Sequence, residues 1–251
     1  MTQPEKRESS TQSAEPGLLL ALEGVDGSGK STQTRLLAEG LRAMGLEVEP
    51  ISFPRYEDPI FGDLIRRFLS GELGPVDQVH PRLVALLFAG DRGAEAPNLR
   101  GALADGKIVI CDRYFYSNVA YQGAKLEAGD EIESFERWLR ELEFGHYAIP
   151  VPACSLYLDV RQDQREERLA ERVASSTAAS EGAVTNDIHE RDLALQAKVE
   201  EIFRAQSAAR DDLVRVDCQD GETALTADEV HAKIVGVLQE NGLIQASAVT
   251  S

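Results

Sequence analysis

Short apolar runs alternating with amphipathic stretches predict an α/β fold: a three-layer sandwich with a five-stranded parallel sheet and helices on both faces. Three observations carry this reading. Strand-like and helix-like segments alternate from end to end of the 251 residues, the pattern of a parallel sheet wrapped by crossover helices. Several of the strands are continuous apolar runs, as strands buried on both faces must be. A glycine-rich turn joins the first strand to the first helix, which is where such sheets bind phosphate groups.

The strands are expected at LLLALE (18–23), LEVEPISF (46–53), KIVICD (107–112), CSLYLDV (154–160) and LVRVD (213–217). Each is bounded by turn residues or by charge. Helical spacing of apolar residues predicts helices over 31–44, 59–70, 80–104, 131–143, 161–174, 187–209 and 226–241. In the sixth of these, Ile188, Leu195, Val199, Ile202 and Phe203 recur at helical intervals. The small, polar stretch ASSTAASEGAVTN (174–186) reads either as a linker or as part of a functional lid over about 161–187. No internal repeat and no change of composition divides the chain. One domain over 18–242 is expected, with polar tails at 1–17 and 243–251.

Composition narrows the classes of function. No apolar run approaches the roughly 20 residues of a membrane-spanning helix, and the first seventeen residues have no apolar signal core. Cys111, Cys154 and Cys218 lack any C-x-x-C spacing, and Cys111 and Cys154, in or beside apolar strand-like runs, read as buried reduced thiols, which predicts a cytoplasmic setting. His80, His146, His189 and His231 show no metal-ligand spacing. The formal net charge of -17 opposes a polynucleotide partner, whose affinity rests on surface cations. A small phosphorylated ligand remains compatible, provided the few cations gather in one cleft.

GVDGSGKS, Gly24 to Ser31, fits the phosphate-loop pattern G-x-x-x-x-G-K-[ST], and it lies between an apolar strand and an amphipathic helix as that motif requires. Gly24, Val25, Asp26, Gly27, Ser28 and Gly29 form the loop whose backbone N–H groups face the phosphates. Lys30 reaches the terminal phosphates, while Ser31, followed by Thr32, lies where a hydroxyl ligates Mg²⁺. Asp26 is the unexpected member, a carboxylate inside an anion-binding loop.

A regulatory GTPase should carry an N-K-x-D string, which is absent. A motor or transporter ATPase should carry further domains. A small-molecule kinase needs a second anion site facing the loop, and four clusters offer one. SFPRYED (52–58) follows the second strand and turns Phe53, Arg55 and Tyr56 toward the crevice. LLFAGDR (86–92) places Phe88 and Arg92 four residues apart on one helical face, an arrangement suited to a stacked base or to plain core packing. IVICDRYFYSNVAYQG (108–123) ends a buried strand in Asp112 and Arg113, a site for a carboxylate near Mg²⁺ and a phosphate ligand, or for a strand-end ion pair. REERLAER (165–172) spaces Arg165, Arg168 and Arg172 along one helix face, where they serve either a lid or a solvated surface.

Taken together, EGVDGSGKST, FPR, FAGDR, CDRY with SNVAYQG, LYLDV and ERD (190–192) resemble the thymidylate kinase family, closely over 18–123 and more loosely to about 240. The resemblance implies a P-loop kinase that transfers the γ-phosphoryl group of ATP to dTMP with Mg²⁺, acting as a homodimer. It further implies that Phe88 stacks on thymine, that Arg92 and Asn118 read the polar edge of the base, that Pro54 lies near its methyl group and that Phe53 belongs to the substrate site. Arg55 and Arg113 would clamp the acceptor phosphate, and Tyr121 would pack by the sugar. Asp26 would contact the sugar 3′-hydroxyl and help organise Mg²⁺, together with Ser31 and Asp112. The loop has no arginine at its variable positions, so the resemblance assigns the catalytic arginine to Arg168 or Arg172. His189 stands where relatives often carry an aromatic, beside Asp187 and Glu190. Two alternatives stand beside this reading: a deoxynucleoside kinase, disfavoured because Arg55 occupies the place of a general base, and a catalytically silent nucleotide-binding module.

Overall fold

The computed structural model of the chain describes residues 17–74, 78–127, 129–165 and 193–245. The anticipated strands are present as β1 (Leu18–Glu23), β2 (Val48–Ser52), β3 (Ile108–Asp112), β4 (Cys154–Asp159) and β5 (Leu213–Asp217). They pair in parallel in the order β2-β3-β1-β4-β5. The chain therefore leaves the central β1 for one edge, returns through β3, and crosses to the other side for β4 and β5. That reversal opens a crevice at the C-terminal ends of β1 and β3.

Burial follows this order. β1, β3 and β4 are almost wholly buried, whereas β2 and β5 are partly exposed at the edges. Pro50, which has no N–H to give to a ladder, sits on the edge strand β2. Alternation along the strands divides the core between the two faces. Leu20, Leu22, Ile110, Leu156 and Leu158 pack on α1 (Lys30–Ala43) and, through Ile234 and Leu238, on the C-terminal helix. Leu19, Ala21, Val109, Cys111 and Tyr157 pack on the opposite face against Phe115, Phe135, Leu139 and Phe203. There Tyr157 and Phe203 stack with centroids 4.9 Å apart and rings inclined by 8°.

After α1 the helices run α2 (Phe61–Leu69), α3 (Pro81–Ala104), α4 (Phe115–Gly123) and α5 (Gly129–Arg140). They continue with α6 (Leu193–Ala209) and α7 (Ala227–Glu240). Strands were anticipated to within about two residues, but three features differ from the sequence reading. α4 was not expected as a helix: all nine of its residues are buried, so no polar face marks a helical period. α5 passes into a π-helical turn, Glu141–His146, and β6 (Gln219–Asp220) with β7 (Thr223–Ala224) forms a small antiparallel hairpin. Helical structure expected at 166–174 and 187–192 lies outside the described residues.

The N-terminus of α4 is held by the last residue of β1. Fully buried Glu23 accepts from Tyr116 N and Ser117 N, both at 3.0 Å, and from Ser117 Oγ. Its carboxylate satisfies donors that a helix start leaves orphaned and lies at the positive end of the helix dipole. Burial still raises its pKa above the usual carboxylate value, despite these bonds. Glu23→Ala removes the acceptor of three buried donors and should lower stability by about 3 kcal/mol. For a chain of this size calorimetry should then show a Tm reduced by roughly 6–12 °C, and a fall below about 2 °C would mean that water replaces the carboxylate.

Candidate active site

The loop 24–31 leaves the C-terminal end of the central strand β1 and enters α1 at Lys30. Gly24 and Gly29 are both at positive φ, 143° and 92°, conformations that glycine alone adopts without strain. At Gly24 space is also short: a Cβ would lie 2.8 Å from Ser28 Oγ and 3.0 Å from the carbonyl oxygen of Leu158. Lys30 is buried and folds back on the loop, donating to Val25 O at 2.8 Å and to Ser28 Oγ at 3.4 Å.

A cavity of about 960 Å³ opens beside this loop at the C-terminal ends of β1, β2 and β3. Of the residues expected at the site, Asp26, Gly27, Gly29, Lys30, Ser31 and Thr32 line it from the loop. Phe53, Pro54 and Arg55 line it after β2, Phe88 and Arg92 from α3, Asp112 at the end of β3 and Arg113 after it, and Asn118 and Tyr121 from α4. Gly24, Val25 and Ser28 are not on its wall; Val25 and Ser28 are buried within the loop. Arg168, Arg172, Asp187, His189 and Glu190 lie outside the described residues.

Asp26 meets Arg113 here. Arg113 takes the left-handed conformation, φ 68°, which costs a non-glycine residue on the order of 1 kcal/mol or more. Its N–H donates to Leu22 O at 2.9 Å, and its side chain turns back over the loop to Gly24 O at 3.1 Å and to Asp26 Oδ1. The other oxygen of Asp26 accepts from Tyr121 Oη at 2.6 Å and from Gln196 Nε2 at 3.2 Å. Burial alone would raise the pKa of Asp26, but the charges of Arg113 and Lys30 outweigh it and hold the carboxylate well below its ordinary range. Arg113 in turn stays protonated against the effect of burial, chiefly because of Asp26. The loop carboxylate is thus a neutralised, fixed acceptor and not a free negative charge facing phosphate.

Arg55 is tethered as well. Its Nε reaches Asp91 Oδ1 at 3.0 Å, its Nη1 pairs with Glu95, and its Nη2 donates to Asp91 O at 3.0 Å. Arg92, which sequence spacing placed beside Phe88, is 2% exposed and forms a two-point pair with Glu143. Sequence reasoning missed Glu23, Asp91, Glu95, Glu143 and Gln196. Asp91 was within reach, since it stands in FAGDR next to Arg92, whereas Glu143 and Gln196 reach the site only through the tertiary fold.

The thymidylate kinase family model matches residues 22–226. This chain belongs to the thymidylate kinase family. A probable thymidylate kinase of Thermococcus gammatolerans is 31% identical over 230 residues, covering 89% of this chain and 97% of the relative. For a probable thymidylate kinase of Thermococcus onnurineus the figure is 43% over 130 residues, covering 50% of this chain and 59% of the relative's length. The solved thymidylate kinase of Candida albicans shares the fold, with a TM-score of 0.64 over 91% of this chain and 93% of the other at 23% identity.

Oxygen donors suited to a hard cation are present: Ser31 and Asp112 line the same cavity, and no hydrogen bond or ion pair occupies the Asp112 carboxylate among the described residues. Asp26 fits this purpose less well, because both of its oxygens are engaged. Among the described residues no cluster of three or more His, Cys, Asp or Glu forms a metal cage.

Lys30 gives a direct test of this electrostatic arrangement. Burial, and next Arg113, bring its pKa down to about 8 against the pull of Asp112, Asp26 and Glu23. With a folded value below the usual ~10.4, the unfolded chain binds the extra proton between these limits, so this group makes the free protein gain stability as pH rises through that window. A ¹⁵N titration of lysine-labelled protein should show one Nζ with a midpoint near pH 8, lost in Lys30→Met. A midpoint above about pH 10 for every lysine would contradict the buried placement.

Proposed function

We propose that this protein catalyses phosphorylation of dTMP to dTDP by transfer of the γ-phosphoryl group of ATP. The observation that carries the reading is one cavity faced on one side by the phosphate loop and on the other by Arg55, Phe88, Arg92 and Asn118. That is a triphosphate site opposite a site for a planar, polar-edged base bearing an anion. Family membership supports the same reaction. The chain spans about half to two thirds of the length of the first relatives, whereas it spans others almost fully.

In this reading the loop N–H groups and Lys30 hold the ATP phosphates, and Arg113 and Arg55 orient the acceptor phosphate in line. Asp26 keeps Arg113 in place and offers an oxygen to the sugar, and Tyr121 packs at the deoxyribose. Phe88 stacks on the base with Pro54 and Phe53 on its methyl side. Ser31 and Asp112 would hold a Mg²⁺ ion, which would supply positive charge to offset that developing on the phosphates. An ionised acceptor phosphate needs no general base, so positioning and charge stabilisation supply nearly all the catalysis. The roles of Arg168 and Arg172 in meeting that charge rest on the sequence alone.

The proposal extends to a single catalytic domain over 18–242, a homodimer and a cytoplasmic setting. Three buried free thiols, Cys111, Cys154 and Cys218, suit a reducing compartment. No helix among the described residues is long and apolar enough to cross a membrane.

ADP release should be fastest with dTMP across a panel of nucleosides and monophosphates. Faster turnover of thymidine than of dTMP would establish a nucleoside kinase, and no turnover of any acceptor a silent module. Asp26→Asn should lower kcat roughly 100-fold while ATP affinity changes less than about threefold. Parallel loss of both would assign Asp26 to the shape of the loop alone.

A further inference from the structure

Behind the cavity wall lies a carboxylate that touches none of the open space yet controls two residues that do. Glu143 sits in the π-helical turn after α5 and is fully buried. Its Oε1 accepts from Arg92 Nη2 at 2.6 Å and its Oε2 from Arg92 Nε at 2.7 Å. Oε1 also accepts from Asn118 Nδ2 at 3.0 Å, and the same amide nitrogen donates to Ala85 O at 3.1 Å. Both amide hydrogens are therefore used. Turning the amide over would set its oxygen against a carboxylate and a carbonyl, two acceptor–acceptor contacts in a buried place. Asn118 Oδ1 is left as a buried acceptor with no partner among the described residues. Arg92 and Asn118 both line the cavity, and Nη1 is the one guanidinium nitrogen of Arg92 that Glu143 does not engage.

We propose that Glu143 is a positioning residue that sets the hydrogen-bond polarity of the base site, fixing Asn118 as acceptor and Arg92 as donor. The inference rests on the dTMP kinase reading and deepens it. An acceptor beside a donor complements the imide edge of thymine or uracil, in which an N–H stands next to a carbonyl. Cytosine presents the reverse order, a ring nitrogen acceptor next to an amino donor, and would leave buried polar groups unpaired. A buried Arg–Glu pair adds little net stability over apolar packing, so specificity gives this arrangement a purpose that packing does not.

The test compares dTMP with 5-methyl-dCMP, which keeps the ring methyl and exchanges donor for acceptor at the two positions. Glu143→Gln preserves volume but brings an NH₂ to Arg92 or Asn118. It should cut kcat/KM for dTMP at least tenfold, mainly through KM, and narrow the preference for dTMP at least tenfold. The KM for ATP, bound at the far side, should stay within about twofold. A preference unchanged within about twofold, or an ATP KM that rises in parallel, overturns the proposal. If Glu143→Gln does not fold, Asn118→Leu decides: it removes the acceptor and leaves the Arg92–Glu143 pair. The preference should narrow likewise, and a retained preference overturns the proposal. Wild-type protein that fails to phosphorylate dTMP sinks the kinase reading and this inference with it. Active wild type with unmoved variants sinks this inference alone.

Discussion

The pairing of Asp26 with Arg113 is the constraint on which the site depends. It joins the phosphate loop to the residue that follows β3, two segments 87 positions apart in sequence. Without it a carboxylate would project from an anion-binding loop, and an arginine in the left-handed conformation would have little to offset its strain. Each residue removes the other's penalty. Tyr121 and Gln196 complete the arrangement by taking the remaining oxygen of Asp26. Loop, strand end, α4 and α6 thereby meet at one carboxylate.

The same economy of charge runs through the cleft. A chain with 43 acidic and 26 basic residues has few cations to spare for phosphates, and it holds those it has on carboxylate tethers. Arg55 is tied to Asp91 and Glu95, Arg92 to Glu143, and Arg113 to Asp26. A tether lowers the local positive potential but fixes a long side chain before any ligand arrives, so less conformational entropy is lost on binding. Beyond the cleft the device recurs structurally. Buried Asp159 at the end of β4 accepts Arg204 and Arg215, and Glu200 pairs with Arg165 and Arg204. These links bind β4, β5 and α6 to the chain that follows β4.

The sheet was legible in the sequence because buried parallel strands advertise themselves as apolar runs, and all five lie close to where LLLALE and its counterparts place them. The loop was legible because its glycines, lysine and serine are local. Residues carried on neighbouring motifs, Arg55, Phe88, Arg92, Asp112 and Arg113, do come together around one cavity. The rest was hidden for identifiable reasons. α4 has no exposed face to give a period, and Glu23 looks like the polar end of a strand until the helix it caps is in place. Glu143 and Gln196 stand in ordinary amphipathic helical stretches, and only tertiary packing reveals that one faces Arg92 and the other Asp26.

What hid α4 from the sequence also explains its use. Its nine residues are buried because one side packs on the core through Phe115, Val119 and Ala120 while Ser117, Asn118 and Tyr121 line the cavity. A helix that is both core and wall cannot shift without disturbing the packing of β1 and β3. Glu23 pins its first turn, Glu143 holds its middle through Asn118, and Asp26 holds its far end through Tyr121. Three carboxylates from three segments therefore register one helix against the phosphate loop. Positioning of this kind is what phosphoryl transfer most requires of a protein. Because all three act on α4, any one of them can move Asn118 and Tyr121 on the cavity wall.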